Sequence, residues 1–192
     1  MHRVNTIEEL IATPNKYGVE VDIRSIGNEL IINHDPYDDG VKFKEWIKFY
    51  KHGTLILNVK EEGLEEKILE KLKEYDINSF FFLDQSFPSL IKTAKQGENR
   101  CAVRISEYES IETAISLKEM VKWIWVDIFS EFKLTIFEYE KLKESKFKLC
   151  LVSPELQKFN NLNIEILKKL LKKNNFFFDA VCTKYPKKWE II

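Results

Sequence analysis

The chain has 192 residues, of which 44% are hydrophobic and 32% are charged. This composition supports one sizeable core and excludes a disordered or collagen-like protein. Thirty basic residues against 31 acidic ones give a formal net charge of -1, which argues against nonspecific binding to nucleic acid or anionic membranes. No apolar run reaches the ~20 residues of a membrane span, and the N-terminus lacks a signal-peptide core. We therefore expect a single cytoplasmic domain over residues 1–192, without stable membrane insertion.

Short β-branched or aromatic runs alternate with amphipathic segments along the whole chain. The pattern predicts eight strands, at residues 1–4, 19–24, 54–59, 79–83, 101–105, 123–128, 147–152 and 180–183. It also predicts seven helices, at residues 6–12, 43–50, 64–75, 89–95, 111–120, 135–145 and 164–173. Such alternation requires parallel pairing with crossovers, and eight units close naturally into a (β/α)8 TIM barrel. This barrel would be compact, since a typical one has about 250 residues. An open doubly wound sheet is the alternative.

The three cysteines are widely spaced, and each lies in an apolar, strand-like segment. An odd number at such spacing favours buried thiols over a disulfide framework or a metal-ligand motif. We expect Cys101, Cys150 and Cys182 to be buried thiols in a reducing compartment.

Two carboxylates lie on one predicted strand. Glu20 and Asp22 are two residues apart, so both side chains point to the same face. Two close carboxylates repel each other unless a cation or a shared proton compensates, and hard oxygen ligands suit Mg²⁺ or Ca²⁺. We expect a divalent metal here. The alternative is a buried polar layer satisfied by lysines of the barrel.

A predicted hairpin brings a histidine to these carboxylates. A turn between Gly27 and Asn28 pairs residues whose numbers sum to about 55, which sets His34 beside Val21. His2 is expected on the adjacent first strand. The two imidazoles could therefore flank one metal and act as the acid/base pair of phosphodiester cleavage.

Three further side chains could contact a phosphorylated substrate. Arg3 and Lys60 could hold phosphate oxygens, one as a planar fork and the other as a point charge. Asp127 lies at the C-terminal edge of a predicted strand, where it could contact substrate or serve as a hydrogen-bonded structural carboxylate.

Six segments, in order, resemble motifs of the glycerophosphodiester phosphodiesterase family, a barrel group related to the phosphatidylinositol phospholipases C. They match its His-Arg-Gly, Glu-Asn-Thr, Glu-x-Asp, His-Asp, Glu-x-Lys and closing strand motifs, at His2-Arg3, Asn5-Thr6, Glu20-x-Asp22, His34-Asp35, Asn58-x-Lys60 and residues 179–186. The resemblance implies a phosphodiesterase of lipid metabolism. It implies His2 and His34 as the acid/base pair, metal ligands at positions 20, 22 and 58, and phosphate contacts from Arg3 and Lys60.

The departures from that pattern keep a second function open. Val4 replaces the motif's glycine, the loop glutamate is missing, and Asn58 replaces the third acidic ligand. An amide carbonyl can coordinate a hard cation but brings no charge, so metal affinity should fall. The expected function is metal-dependent hydrolysis of a small glycerophosphodiester to an alcohol and a phosphomonoester. The alternative is an impaired barrel that binds a phosphorylated ligand or a protein partner without turnover.

Overall fold

The fold comes from a computed structural model that describes residues 1–157 and 163–190. The chain separates into two compact units, Met1–Cys101 and Ala102–Ile192. Each unit contains one β-sheet with helices between its strands.

The sheet of the first unit is mixed. It has five strands in the spatial order β3-β2-β1-β4-β5. The strands β1, β4 and β5 are parallel, whereas β2 pairs antiparallel with β1 and β3 pairs antiparallel with β2. Their bounds are Val19–Ile26 (β1), Glu29–Ile32 (β2), Val41–Lys42 (β3), Leu55–Val59 (β4) and Phe80–Leu83 (β5). All residues of β4 and β5 are buried, as expected of parallel strands covered on both faces.

The predicted hairpin has the expected register. Ile23 pairs with Ile32, a sum of 55, and Gly27 takes a positive φ of 58° in the turn, which glycine adopts at little cost. The strand β2 ends at Ile32, two residues before His34. One further hydrogen bond, from Asn33 N to Asp22 O at 3.0 Å, continues the pairing.

The predicted first strand is irregular. Residues 1–4 form no strand, yet Glu20 N donates to Met1 O and Val4 N donates to Glu20 O, both at 2.8 Å. In a regular parallel pair, a single residue separates the two residues that hydrogen-bond to one residue of the neighbouring strand. Here two residues, His2 and Arg3, lie between Met1 and Val4. The extra residue is accommodated because Arg3 adopts a positive φ of 52°. The segment therefore lies along β1 as a bulge.

Four helices belong to the described residues of the first unit. Helix α1 begins after Thr6, whose side chain accepts from Glu9 N while the Glu9 carboxylate accepts from Thr6 N, a capping box. The predicted helix at residues 43–50 is a single α-turn followed by a 3₁₀ turn at Ile47–Phe49. The helix bounds are Ile7–Ala12 (α1), Phe43–Trp46 (α2), Glu65–Glu74 (α3) and Phe87–Lys95 (α4).

The sheet of the second unit is wholly parallel and follows chain order. Its strands are Ala102–Ile105 (β6), Trp123–Val126 (β7), Lys148–Val152 (β8) and Ala180–Cys182 (β9). The helices are Ile111–Ser116 (α5), Ile136–Glu144 (α6) and Ile164–Lys173 (α7), with 3₁₀ turns at Pro154–Leu156 and Pro186–Lys188. The strand β7 ends before Asp127, which folds its carboxylate onto the backbone N–H of Ile128 at 2.9 Å.

The α/β class with parallel sheets and alternating helices is confirmed. Closure into one barrel and the single domain over residues 1–192 stay predictions. The three cysteines are buried, and none of them forms a disulfide within the described residues. Among the helices of the described chain, none has the length and apolar character to cross a membrane.

Candidate functional site

The carboxylates of Glu20 and Asp22 are almost wholly inaccessible to solvent, with 1% and 0% of their side-chain surface exposed. Strand alternation puts both on one face of β1. On the neighbouring strand β4, Asn58 pairs with Asp22 in the register, and its Nδ2 donates to Glu20 Oε1 at 3.1 Å. The structure therefore brings together the three predicted metal ligands at positions 20, 22 and 58.

Asp22 is surrounded by donors and cations. Lys60 Nζ lies 3.1 Å from Oδ1, Arg3 Nε lies 3.8 Å from Oδ2, and Asn5 Nδ2 donates to Oδ2 at 2.8 Å. The Lys60 contact is a close ion pair without the alignment of a hydrogen bond. Asn5 also accepts from Asp22 N at 3.1 Å, so it fixes the carboxylate that it contacts. The predicted site set omits Asn5, although it lies in the segment that resembles Glu-Asn-Thr.

Glu20 has less compensation. Burial first, and then the neighbouring charge of Asp22, raise the pKa of Glu20 from 4.5 to about 7. The backbone N–H of Arg3 donates to Oε2 at 2.7 Å, and His2 Nε2 lies 3.8 Å from the same oxygen. The carboxylate thus lies where a positive charge would stabilise its ionised form.

His34 is held from both sides of its ring. Nδ1 lies 2.8 Å from Asp35 Oδ1, and Nε2 lies 2.6 Å from Arg3 Nη2. A guanidinium can only donate, so Nε2 accepts from Arg3 and Nδ1 carries the proton that Asp35 accepts. This arrangement gives Nε2 a lone pair directed at the Arg3 side chain. Arg3 therefore connects His34 to the carboxylates, because its backbone contacts Glu20 and its side chain contacts His34.

These residues fit a hard divalent cation. Asn58 Oδ1 is buried and has no hydrogen-bond partner within the described part of the chain, so an amide oxygen is available next to two carboxylates. Residues 1–157 and 163–190 contain no cluster of three His, Cys, Asp or Glu residues with metal-site spacing. The Asn58 amide oxygen is the group beside the two carboxylates that could serve as a third ligand, and a bound cation would compete with Lys60 for Asp22.

Asp127 belongs to the second unit. Its Oδ2 accepts from Arg104 Nη1 at 2.9 Å, and its Oδ1 accepts from Gln157 Nε2 at 2.8 Å. It also lines a cavity of about 420 Å³ formed by the loops after β6 and β7. Asp127 is thus both hydrogen-bonded within its unit and at the edge of a cavity, and its role in substrate binding stays a prediction.

The fold is that of known phosphodiesterase structures. A protein of Agrobacterium tumefaciens strain C58, assigned as a glycerophosphoryl diester phosphodiesterase, superposes with a TM-score of 0.67 and 12% identity over 94% of this chain and 90% of its own. A glycerophosphodiester phosphodiesterase of the same strain gives a TM-score of 0.69 and 10% identity over 96% and 91%. No protein-family model and no curated protein matches the sequence. At such low identity the likeness establishes the fold, and the resemblance seen in the sequence motifs is therefore confirmed at that level: the chain folds as glycerophosphodiester phosphodiesterases do.

Proposed function

We propose that this protein is a metal-dependent phosphodiesterase that hydrolyses a small glycerophosphodiester to an alcohol and a phosphomonoester. The observation that carries the proposal is the buried pair of Glu20 and Asp22 with the unsatisfied Asn58 Oδ1 beside it. A buried carboxylate pair costs free energy, and a binding site for Mg²⁺ or Ca²⁺ is a functional reason to retain it.

The surrounding residues supply the rest of the chemistry. Arg3 and Lys60 bring two positive charges to the carboxylates and can bind the non-bridging oxygens of a phosphodiester. His34 Nε2 accepts from Arg3 in the free protein, so binding of the phosphate by the Arg3 guanidinium would free this lone pair to take a proton from the attacking water. His2 lies by Glu20 and would donate a proton to the leaving alcohol oxygen. When bound by Glu20, Asp22 and Asn58, the metal would add charge stabilisation of the phosphoryl oxygens.

Two Agrobacterium structures with the same fold support this reaction class by their names. An enzyme of this kind would act in the cytoplasm in lipid metabolism, on a small substrate rather than on nucleic acid. Closure into the (β/α)8 barrel, and a contribution of Asp127 to substrate binding, complete the proposal. The catalytic part does not depend on them, because all its residues lie in Met1–Cys101.

Binding without turnover is the second candidate, and the Lys60 contact favours it. A lysine 3.1 Å from Asp22 already compensates one carboxylate, and Asn58 adds no charge for a metal. A protein of this kind would bind glycerol 3-phosphate through Arg3 and Lys60 in the presence of EDTA. Calorimetric binding that is independent of metal, together with no hydrolysis, would select this candidate.

Variants of the histidines test the proposed enzyme. We expect His34→Gln and His2→Gln each to lower kcat for glycerophosphocholine with Mg²⁺ by at least about 100-fold, since general acid/base catalysis contributes about 10² to 10⁴. The control is His52→Gln, because His52 Nε2 contacts the Thr13 carbonyl at 2.9 Å, in the same unit but outside the site. Equal activity in all three variants would refute the catalytic assignment.

A further inference from the structure

Arg24 holds the backbone of His34. It follows Asp22 by two residues on the same face of β1, and its Nε and Nη2 both donate to the His34 carbonyl oxygen, at 3.2 and 3.1 Å. His34 lies beyond Ile32, the last residue of β2, so strand pairing does not fix its position. A two-pronged guanidinium contact takes that role, which a lysine could not reproduce with the same geometry.

Glu61 in turn orients Arg24. Its Oε1 lies 3.6 Å from Arg24 Nη1, while its Oε2 accepts from Ser25 N at 3.1 Å and from Ser25 Oγ at 2.7 Å. Glu61 is therefore anchored to β1 by Ser25 and presents its other oxygen to the guanidinium. The Arg24 side chain is only 16% exposed, so this ion pair is better shielded from solvent than a surface pair.

The two residues after β4 thus serve two purposes. Lys60 pairs with Asp22, and Glu61 pairs with Arg24. The backbone hydrogen bond from Lys60 N to Ile23 O, at 3.0 Å, fixes this loop against β1. The position of His34 is therefore set by the same loop that supplies a cation to the carboxylates.

We propose that Arg24, oriented by Glu61, is a positioning residue that fixes His34 for proton transfer. The inference rests on the proposed function, in which His34 is the general base. Within residues 1–157 and 163–190, the Arg24 guanidinium donates to the His34 carbonyl and pairs with Glu61, so Arg24 acts through His34. A displacement of about 1 Å of a catalytic group can cost about 100-fold in rate, which makes the contact to the carbonyl important for turnover as well as for stability.

Kinetics of three variants test the proposal. We expect Arg24→Gln and Glu61→Gln to lower kcat for glycerophosphocholine by about 10-fold to 100-fold, with KM changed by less than about threefold. Arg24→Lys keeps the charge but not the fork and should recover only part of the rate. The matched control is Arg100→Gln, since Arg100 also pairs with a carboxylate, at 2.5 Å from Glu98, but that pair lies apart from the site residues named above.

A readout without turnover separates this proposal from the proposed function. We expect the imidazole nitrogen signals of His34 in a ¹⁵N spectrum to shift or broaden in Arg24→Gln and to stay unchanged in Arg100→Gln. If the wild type hydrolyses nothing, the proposed function fails and the spectra alone decide the positioning role. Unchanged His34 signals in Arg24→Gln, or a kcat loss no greater than that of Arg100→Gln, would overturn the proposal.

Discussion

Glu20 is a site residue whose ionisation depends strongly on the fold. Its pKa is raised from 4.5 to about 7 by burial and by Asp22. Between these two values the folded protein retains a proton that the unfolded chain releases, so this group lowers the free energy of unfolding as the pH rises through that window. Without metal, the protein therefore gains stability from this residue at acidic pH and loses it by pH 8.

Glu20→Gln should remove the loss of stability that ionisation of Glu20 causes at high pH. In the variant, the side-chain carbonyl at position 20 can accept from Arg3 N, and the new amide can donate to Asn58 Oδ1 if the Asn58 amide turns over. We expect the free energy of unfolding at pH 8 to rise by on the order of 2 kcal/mol in EDTA, with hydrolysis abolished. Urea titrations at pH 5 and pH 8 measure the difference. An unchanged pH dependence in the variant would show that Glu20 does not titrate in this range.

Asn58→Asp should change metal affinity and stability in opposite directions. In EDTA, a third carboxylate loses the donor to Glu20 Oε1 and adds repulsion, so we expect a loss of about 1 to 3 kcal/mol. With Mg²⁺, the added charge should tighten metal binding by at least about tenfold, read from calorimetry. Asn78→Asp is the control, since the Asn78 amide donates to Asp76, outside the site. Equal Mg²⁺ affinity in wild type and Asn58→Asp would remove position 58 from the site.

Residue-level predictions succeeded where spacing along one strand decides the geometry. Glu20 and Asp22 share a face because strand side chains alternate. The Asn58 contact to Glu20 depends on the β1–β4 register, and that register is not readable from sequence because both faces of β4 are buried and show no alternation. The contacts of Asn5 with Asp22 and of Arg24 with His34 were not predicted either. Each joins two segments that are separated along the chain, and spacing within one segment does not show such a contact.

At the level of the elements, Gly18 allows the backbones of β1 and β4 to approach each other closely where the two strands begin. A Cβ at this position would overlap the backbone carbonyl oxygen of Thr54, which accepts from Val19 N at 3.1 Å. Backbone cannot yield as a flexible side chain can, so Gly18→Ala should cost about 2 to 3 kcal/mol of stability.

Gly27→Ala is the matched control for that prediction. Gly27 has open space around its Cα but a φ of 58°, so alanine there carries only the left-handed backbone cost of about 1 kcal/mol. Urea denaturation of the two variants compares them. A Gly18→Ala loss no larger than the Gly27→Ala loss would contradict the close approach of the strands.

The elements themselves were largely predictable. The hairpin register followed from its turn residues. Helices α3 and α7 lie within or at the predicted bounds because each has a clear apolar stripe. Helix α6 begins after Thr135, which forms a capping box with Glu138. The first strand was wrong as a regular element, since the positive φ of Arg3 is a tertiary feature with no sequence signal at a non-glycine residue. The short strand β3 consists of Val41 and Lys42, which pair with β2. Two residues are too few to show the alternation of apolar and polar side chains that predicts a strand.

For the whole molecule, the packing of both units predicts protected thiols. Cys101 lies in the first unit and Cys150 and Cys182 in the second, all buried, and burial raises the pKa of Cys101 to about 12. We expect no reaction with a disulfide reagent at pH 8 in buffer and reaction of all three thiols in guanidinium chloride. Rapid reaction of one thiol in buffer would show that its unit is not packed as described.

The most direct test of the metal site and the enzyme is hydrolysis of glycerophosphocholine and bis(p-nitrophenyl) phosphate by the wild type with Mg²⁺, Ca²⁺, Mn²⁺ or EDTA. We expect turnover with a divalent metal, none in EDTA, and a rise in melting temperature on adding the metal, because a ligand that binds the folded state stabilises it. No turnover with any metal, together with an unchanged melting temperature, would contradict both the metal site and the enzyme.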